Sequence, residues 1–323
     1  MENILVIVET ASGELTRGSI EAIVCAQQLA PKRLSAVMLG GESAAVPPAL
    51  ASLRLDEVRI LHHELLANYS ADAWVEALRQ DIATLAPSLV LTPHSYQGRD
   101  FAPRLAARLA RALVSDCIGI ERDDAGLAFV RQMFQGRANM RVRMQGDAPQ
   151  LVTLQPGACR IESAEQGAGA PVNSININLS PEQLRVKVEA PFKTGERTVD
   201  LGHADIIVAV GRGIKGPEHL GLAQRLADLL GAELAASRPV CDEGWLPLER
   251  QVGSSGQTVS PKLYIAIGIS GAVQHAVGMK GADTIVAINK DANAPIFKIA
   301  DYGIVGDLFT VLPALIQSLE AGR

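Results

Sequence analysis

Short apolar runs alternate with amphipathic stretches through the first hundred residues. Ile4–Val8, Ser35–Leu39, Val58–Leu61 and Leu89–Thr92 read as strands, and Ser19–Leu29, Ala71–Leu85 and Phe101–Leu113 carry the spacing of helices. This alternation of strand and helix patterns implies βαβ units around a mostly parallel sheet. From Gly126 the character changes: Leu127–Met133, Asn139–Arg143 and Leu151–Leu154 predict antiparallel strands closing this first domain. Gln166–Pro171, rich in Gly, Ala and Pro, reads as a surface loop. The charged stretch Glu189–His203, with Pro191 and Gly195, reads as the boundary, because Asp205–Val210 restarts the βαβ pattern. Ile206–Val210, Glu233–Ala236, Leu263–Ile267 and Thr284–Ile288 predict a second parallel sheet, with Leu308–Leu319 as closing helix. The expectation is an α/β chain: a Rossmann-like parallel-sheet domain over 1–193 and a doubly wound domain over 194–323.

Composition narrows the function classes. The 323 residues and 48% hydrophobic content suffice for two cores. A net charge of −5 and two tryptophans argue against a nucleic-acid binder. No apolar run reaches the roughly 18 residues of a membrane span, and Met1-Glu2-Asn3 lacks the basic start of a secretory signal. Cys25, Cys117, Cys159 and Cys241 are scattered without C-x-x-C, which supports neither a disulfide framework nor a thiolate metal site. His62-His63 are adjacent, a poor arrangement for one metal. A cytoplasmic chain is expected.

Candidate chemistry gathers where the second set of strands ends. Leu263–Ile267 breaks into Gly268-Ile269-Ser270-Gly271-Ala272-Val273-Gln274-His275, a hydroxyl and small residues followed by a helix start. Small residues admit a ligand close to the backbone, and a helix start offers unpaired N–H groups to an anion. The segment brushes against the hydrolase elbow G-x-S-x-G but has Ala272 where that motif continues differently, and an ordinary strand-to-helix turn would read the same way. Thr284–Ile288 likewise ends in polar Asn289-Lys290-Asp291, at the sheet edge where open parallel sheets bind ligands. Ile206–Val210 runs into Gly211-Arg212-Gly213-Ile214-Lys215-Gly216-Pro217, formally G-x-G-x-x-G. The next strand ends Ala236-Ser237-Arg238 instead of in an acid, against a standard nicotinamide site. Arg212 and Arg238 offer two permanent cations at equivalent positions. Gln251–Thr258 packs glycines and hydroxyls into a further loop, which as a plain flexible turn would need no ligand.

These segments, with Pro295–Phe309, resemble the alpha subunit of electron-transfer flavoproteins. The resemblance is dense from about residue 205 onward and looser in the first half, through Gly98-Arg99-Asp100 to Val114-Ser115-Asp116. It implies a heterodimer with a beta subunit, contacted by the first domain, and one FAD held mainly in the second. Electrons would come from flavin dehydrogenases, such as the acyl-CoA dehydrogenases of fatty acid beta-oxidation, and pass to a quinone oxidoreductase or similar acceptor. Such a chain is an electron carrier without substrate chemistry of its own.

By the same resemblance, Arg238 lies against the isoalloxazine ring, Ser255 near flavin N5 and His275 near O2. Ser270, Gly271, Ala272, Val273 and Gln274 line the phosphates and ribityl chain, with Arg212 and Ser237 nearby. Val252, Gly253 and Ser254 join the cofactor loop, and Asn289, Asp307 and Leu308 hold the adenosine. Ser254-Ser255-Gly256 departs from the family's usual Gln-Thr-Gly, and Lys215-Gly216-Pro217 also departs. Three rivals stand beside this reading: an electron-bifurcating relative, a nicotinamide dehydrogenase, and an adenine-nucleotide sensor built on the first domain.

Overall fold

A computed structural model describes residues 3–134, 136–189, 199 and 201–321. The chain divides into two compact units, Met1–Phe192 and Lys193–Arg323. Most of the expected boundary segment, Glu189–His203, lies outside the described residues.

The first unit is built on nine strands: β1 (Asn3–Ile7), β2 (Arg33–Gly40), β3 (Glu57–His62), β4 (Leu89–Pro93), β5 (Leu113–Asp123), β6 (Gly126–Met133), β7 (Ala138–Val142), β8 (Gln150–Leu154) and β9 (Val172–Asn176). Their order in the sheet is β9-β3-β2-β1-β4-β8-β5-β6-β7. Within this sheet, among the described residues, only β5–β6 and β6–β7 pair antiparallel. The main helices are α1 (Arg17–Gln28), α2 (Ala71–Leu85) and α3 (Tyr96–Leu109). Cores cover both faces of the sheet, α1 facing one and α2 with α3 the other.

The structure departs from three expectations. Leu151–Leu154 belongs to a central strand running parallel to β4 and β5; all four residues are buried, as an interior parallel strand requires. The helix expected over Phe101–Leu113 starts earlier, where the Ser95 hydroxyl accepts from Gly98 N at 2.8 Å. It ends at Leu109 because Ala110 turns left-handed at φ 51°, and Leu113 opens β5. Cys25 of α1 and Cys159, in the loop after β8, form a disulfide across 134 residues of sequence. No spacing motif could have shown that pair.

In the second unit five strands, β10 (Ile206–Val210), β11 (Glu233–Ala236), β12 (Leu263–Ile267), β13 (Thr284–Asn289) and β14 (Tyr302–Val305), pair parallel throughout. The sheet order is β11-β10-β12-β13-β14. This is the doubly wound 2-1-3-4-5 order, in which the chain reverses direction between the first and third strands. The helices are α4 (Leu220–Leu230), α5 (Arg238–Asp242), α6 (Val273–Met279) and α7 (Leu308–Ala321). Again both sheet faces are buried under apolar clusters. Connections after β10 and β12 part to opposite sides, and the crevice between them faces the carboxyl ends of the strands.

Candidate functional site

That crevice is a cleft of about 460 Å³, within the range of small-ligand sites. Its floor is made where two loops touch. Gly211 N donates to Ile267 O at 2.8 Å and Gly213 N to Gly268 O at 3.1 Å. A Cβ on Gly211 would stand 2.3 Å from the Gly268 carbonyl oxygen, and one on Gly213 2.7 Å from Gly268 Cα. The first two glycines of the G-x-G-x-x-G segment therefore serve backbone-on-backbone packing between the loops after β10 and β12. Arg212, between them, is exposed and lines the cleft.

A second wall comes from the end of β11. Ser237 is buried and Arg238 opens the short helix α5; both line the cleft with Pro239. The Arg238 side chain is 66% exposed, and its Nε sits 3.3 Å from Asp242 Oδ2.

The third wall is the loop Gln251–Ser255, which is pinned to its surroundings. Val252 N donates to Ala236 O at 2.9 Å, and Ser254 N to Gln274 O at 2.7 Å. Gly253, at φ 142°, approaches the Gln274 carbonyl so closely that a Cβ would lie 2.8 Å away. The buried Gln251 donates through Nε2 to Ser255 Oγ at 2.9 Å. This bond leaves the hydroxyl proton of the exposed Ser255 free to donate elsewhere. The motif around Gln251 does not reveal this side-chain role, which depends on how the loop folds.

The fourth wall follows β12: Gly268, Ile269, Ser270, Ala272, Gln274 and His275 line the cleft. Gly271 and Val273 do not. Gly271, at φ 81°, is pressed against the backbone of Ile296, where an added Cβ would be 2.1 Å from the amide nitrogen. Helix α6 has only seven residues, so the charge facing the cleft comes mainly from Arg212 and Arg238. His275 is 7% exposed. Its Nε2 is 2.9 Å from the Tyr264 hydroxyl, and its Nδ1 is buried without a hydrogen-bond partner. Burial pushes the imidazole pKa down to about 4, the backbone of Val252 opposing that shift.

Residues expected at the adenosine end stand outside this cleft. Asn289 donates through Nδ2 to Ile269 O at 2.9 Å and accepts from Asp291 N at 3.0 Å. The Asp307 carboxylate accepts from Phe309 N at 2.9 Å at the start of α7. Leu308 is buried in the core. Asn289 braces the loop after β12 and Asp307 the turn after β14. Among the described residues no group of His, Cys, Asp and Glu could hold a metal ion, and no helix is long and apolar enough to cross a membrane.

Comparison with known proteins gives the site a context. Residues 4–180 match the family described as electron transfer flavoprotein domain, and residues 200–280 the electron transfer flavoprotein FAD-binding domain. The chain is 38% identical over 323 residues to electron transfer flavoprotein subunit alpha of Thermoanaerobacterium thermosaccharolyticum, covering 99% of this chain and 98% of that one. It is 37% identical to protein FixB of Clostridium saccharobutylicum, covering 99% and 96% of the two chains. It is 35% identical to acryloyl-CoA reductase electron transfer subunit beta of Anaerotignum propionicum, again covering 99% and 96%.

Proposed function

Since the chain belongs to the electron transfer flavoprotein alpha-subunit family, we propose that it holds FAD in the second-unit cleft and passes electrons between flavin dehydrogenases and a quinone oxidoreductase or similar acceptor. The carrying observation is the convergence at one switch point of two arginines, three pinned loops and a buried histidine with an unused ring nitrogen. Those groups suit a flavin dinucleotide. Arg212 and Arg238 supply cations for a diphosphate or an electron-rich ring, while Ser255 and His275 supply polar atoms for the ring edge. Ser237, Val252, Gly253, Ser254 and Ser270 through Gln274 would form the rest of the seat. Asn289, Asp307 and Leu308 would act on the adenosine side by bracing the loops beneath it.

FAD supplies the redox chemistry when bound. This chain's part is to bind and orient the cofactor and to set the electrostatics around it. The first unit is proposed to contact the beta subunit, and a cytoplasmic setting with a role beside fatty acid beta-oxidation fits the same reading. The acryloyl-CoA reductase relative supports donors or acceptors acting on acyl-CoA substrates.

The FixB and acryloyl-CoA reductase relatives also favour a second reading, a bifurcating complex whose partner holds a further flavin. Co-production with the beta subunit followed by absorbance and FAD quantification tests both. One FAD per heterodimer supports the carrier, two support the bifurcating complex, and none overturns the proposal.

A further inference from the structure

We propose that Tyr264 is a positioning residue for His275: its hydroxyl donates to Nε2 and so fixes the neutral imidazole with its proton on Nδ1. The buried Nδ1 behind the cleft wall is thereby a hydrogen-bond donor.

Tyr264 lies in β12, is 0% exposed, and its hydroxyl makes no other hydrogen bond among the described residues. Burial without a charged partner pushes the phenol pKa upward, so the O–H proton stays on and needs an acceptor. Among the described residues only Nε2 of His275, 2.9 Å away, offers one. Were Nε2 protonated, it would donate to the phenol oxygen. The phenol proton would then be buried without an acceptor, and Nδ1 would become a lone pair without a donor. The opposite arrangement satisfies the Tyr264–Nε2 contact and leaves Nδ1–H, short of a full hydrogen bond, with the pull of the Val252 backbone. Burial also keeps the second proton off the ring down to a pKa of about 4. A fixed second partner setting the tautomer of a functional histidine is a recurrent device.

The tautomer follows from the chain alone. What Nδ1–H meets rests on the FAD reading above: a donor here favours a carbonyl oxygen of the flavin ring over a group that itself donates.

Long-range nitrogen–proton correlation of histidine-labelled protein, in its complex with the beta subunit, reads the tautomer directly. A pyrrole-type Nδ1 and pyridine-type Nε2 at His275 are expected; the reverse pattern, or an imidazolium at neutral pH, overturns the proposal. Tyr264→Phe keeps the ring that fills the core and removes only the hydroxyl. In that variant the single tautomer should give way to a mixture, and the FAD dissociation constant should rise about tenfold. If tautomer and affinity both stay unchanged, Tyr264 does not position His275. If Tyr264→Phe does not fold, the wild-type spectrum still decides. A complex that contains no FAD sinks the flavin reading separately, because the tautomer is read with or without it.

Discussion

Arg238 at the cleft and Asp242 one turn along α5 are joined through Arg238 Nε and Asp242 Oδ2, 3.3 Å apart, with both side chains more than half exposed. Exposed pairs of this kind contribute about 0–1 kcal/mol, so Asp242 tethers the arginine without neutralising it. Beside an electron acceptor, a cation favours the reduced state, and at contact distance in partly desolvated surroundings the attraction reaches up to about 4 kcal/mol.

Solvent around so exposed a side chain leaves the lower part of that range, about 1.4 kcal/mol, or roughly 60 mV for one electron. Arg238→Ala should therefore lower the first reduction potential of the bound flavin by at least roughly 60 mV. Asp242→Asn should raise it by a smaller amount. Spectroelectrochemical titration of the heterodimers measures both, and a change below about 20 mV in Arg238→Ala places Arg238 away from the ring.

Glu9, 6% exposed in the first unit, accepts from the Ser95 hydroxyl at 2.6 Å, and burial raises its pKa to about 7. A carboxyl whose pKa is raised on folding binds more protons in the native state. Its contribution is fully present below pH ~4.5 and is lost as pH rises through about 7. The loss is at most about 3 kcal/mol. Glu9→Gln keeps an acceptor for Ser95 and should remove this slope, making the first unit more stable than wild type at pH 8 and little changed at pH 5. Urea unfolding at the two pH values is the check; equal responses would mean the carboxyl is solvated.

His275 gives the opposite slope in the second unit. Its pKa, lowered to about 4, means that the unfolded chain binds the proton first as pH falls below the ordinary imidazole value of 6.5. Stability should fall by about 2 kcal/mol between pH 7 and pH 5, while Glu9 strengthens the first unit over the same interval. Only unit-resolved unfolding separates the two, which Trp74 and Trp245, one in each unit, make possible. His275→Gln should abolish the acid-side loss seen by Trp245 fluorescence. A persisting loss assigns it to other groups.

The sequence was most legible where burial is continuous. Ile206–Val210, Glu233–Ala236 and Leu263–Ile267 match β10, β11 and β12 residue for residue, because a parallel strand covered on both faces leaves an apolar run, unbroken in β10 and β12 and preceded only by exposed Glu233 in β11. Tyr302–Val305 was missed as a strand because all four residues are exposed at the sheet edge, so no apolar period marks them. Leu151–Leu154 was recognised as a strand but given the wrong partners, since pairing is decided by distant segments. At the site, the cleft loops could be picked out because each follows a strand end. The Tyr264–His275 and Gln251–Ser255 contacts could not, because they arise only when the loops close on the sheet.

Asp307 and Asn289 brace loops through hydrogen bonds to Phe309 N and Ile269 O. Alanine at either position should cost about 1–2 kcal/mol of stability and weaken FAD retention without moving the reduction potential. Asp307→Asn, which can still cap α7, should restore most of the stability. A large potential shift with normal retention in Asn289→Ala would put the loop it braces beside the ring.

Gly271 and Gly231 separate strain from collision. Both have positive φ, 81° and 63°, but a Cβ on Gly231 meets nothing within 4 Å while one on Gly271 falls 2.1 Å from Ile296 N and 2.4 Å from Ile296 Cα. Gly231→Ala should cost only the left-handed strain, about 1 kcal/mol. Gly271→Ala must also push two backbone segments apart, which adds about 1–3 kcal/mol. It also displaces Ser270 and Ala272, which line the cleft on either side. Denaturant unfolding followed by Trp245 in a Trp74→Phe background should rank the variants in that order, and only Gly271→Ala should lose FAD on dialysis. Equal costs with equal retention would show that the Ile296 backbone yields to the extra methyl, and that the tight seat does not shape the cleft.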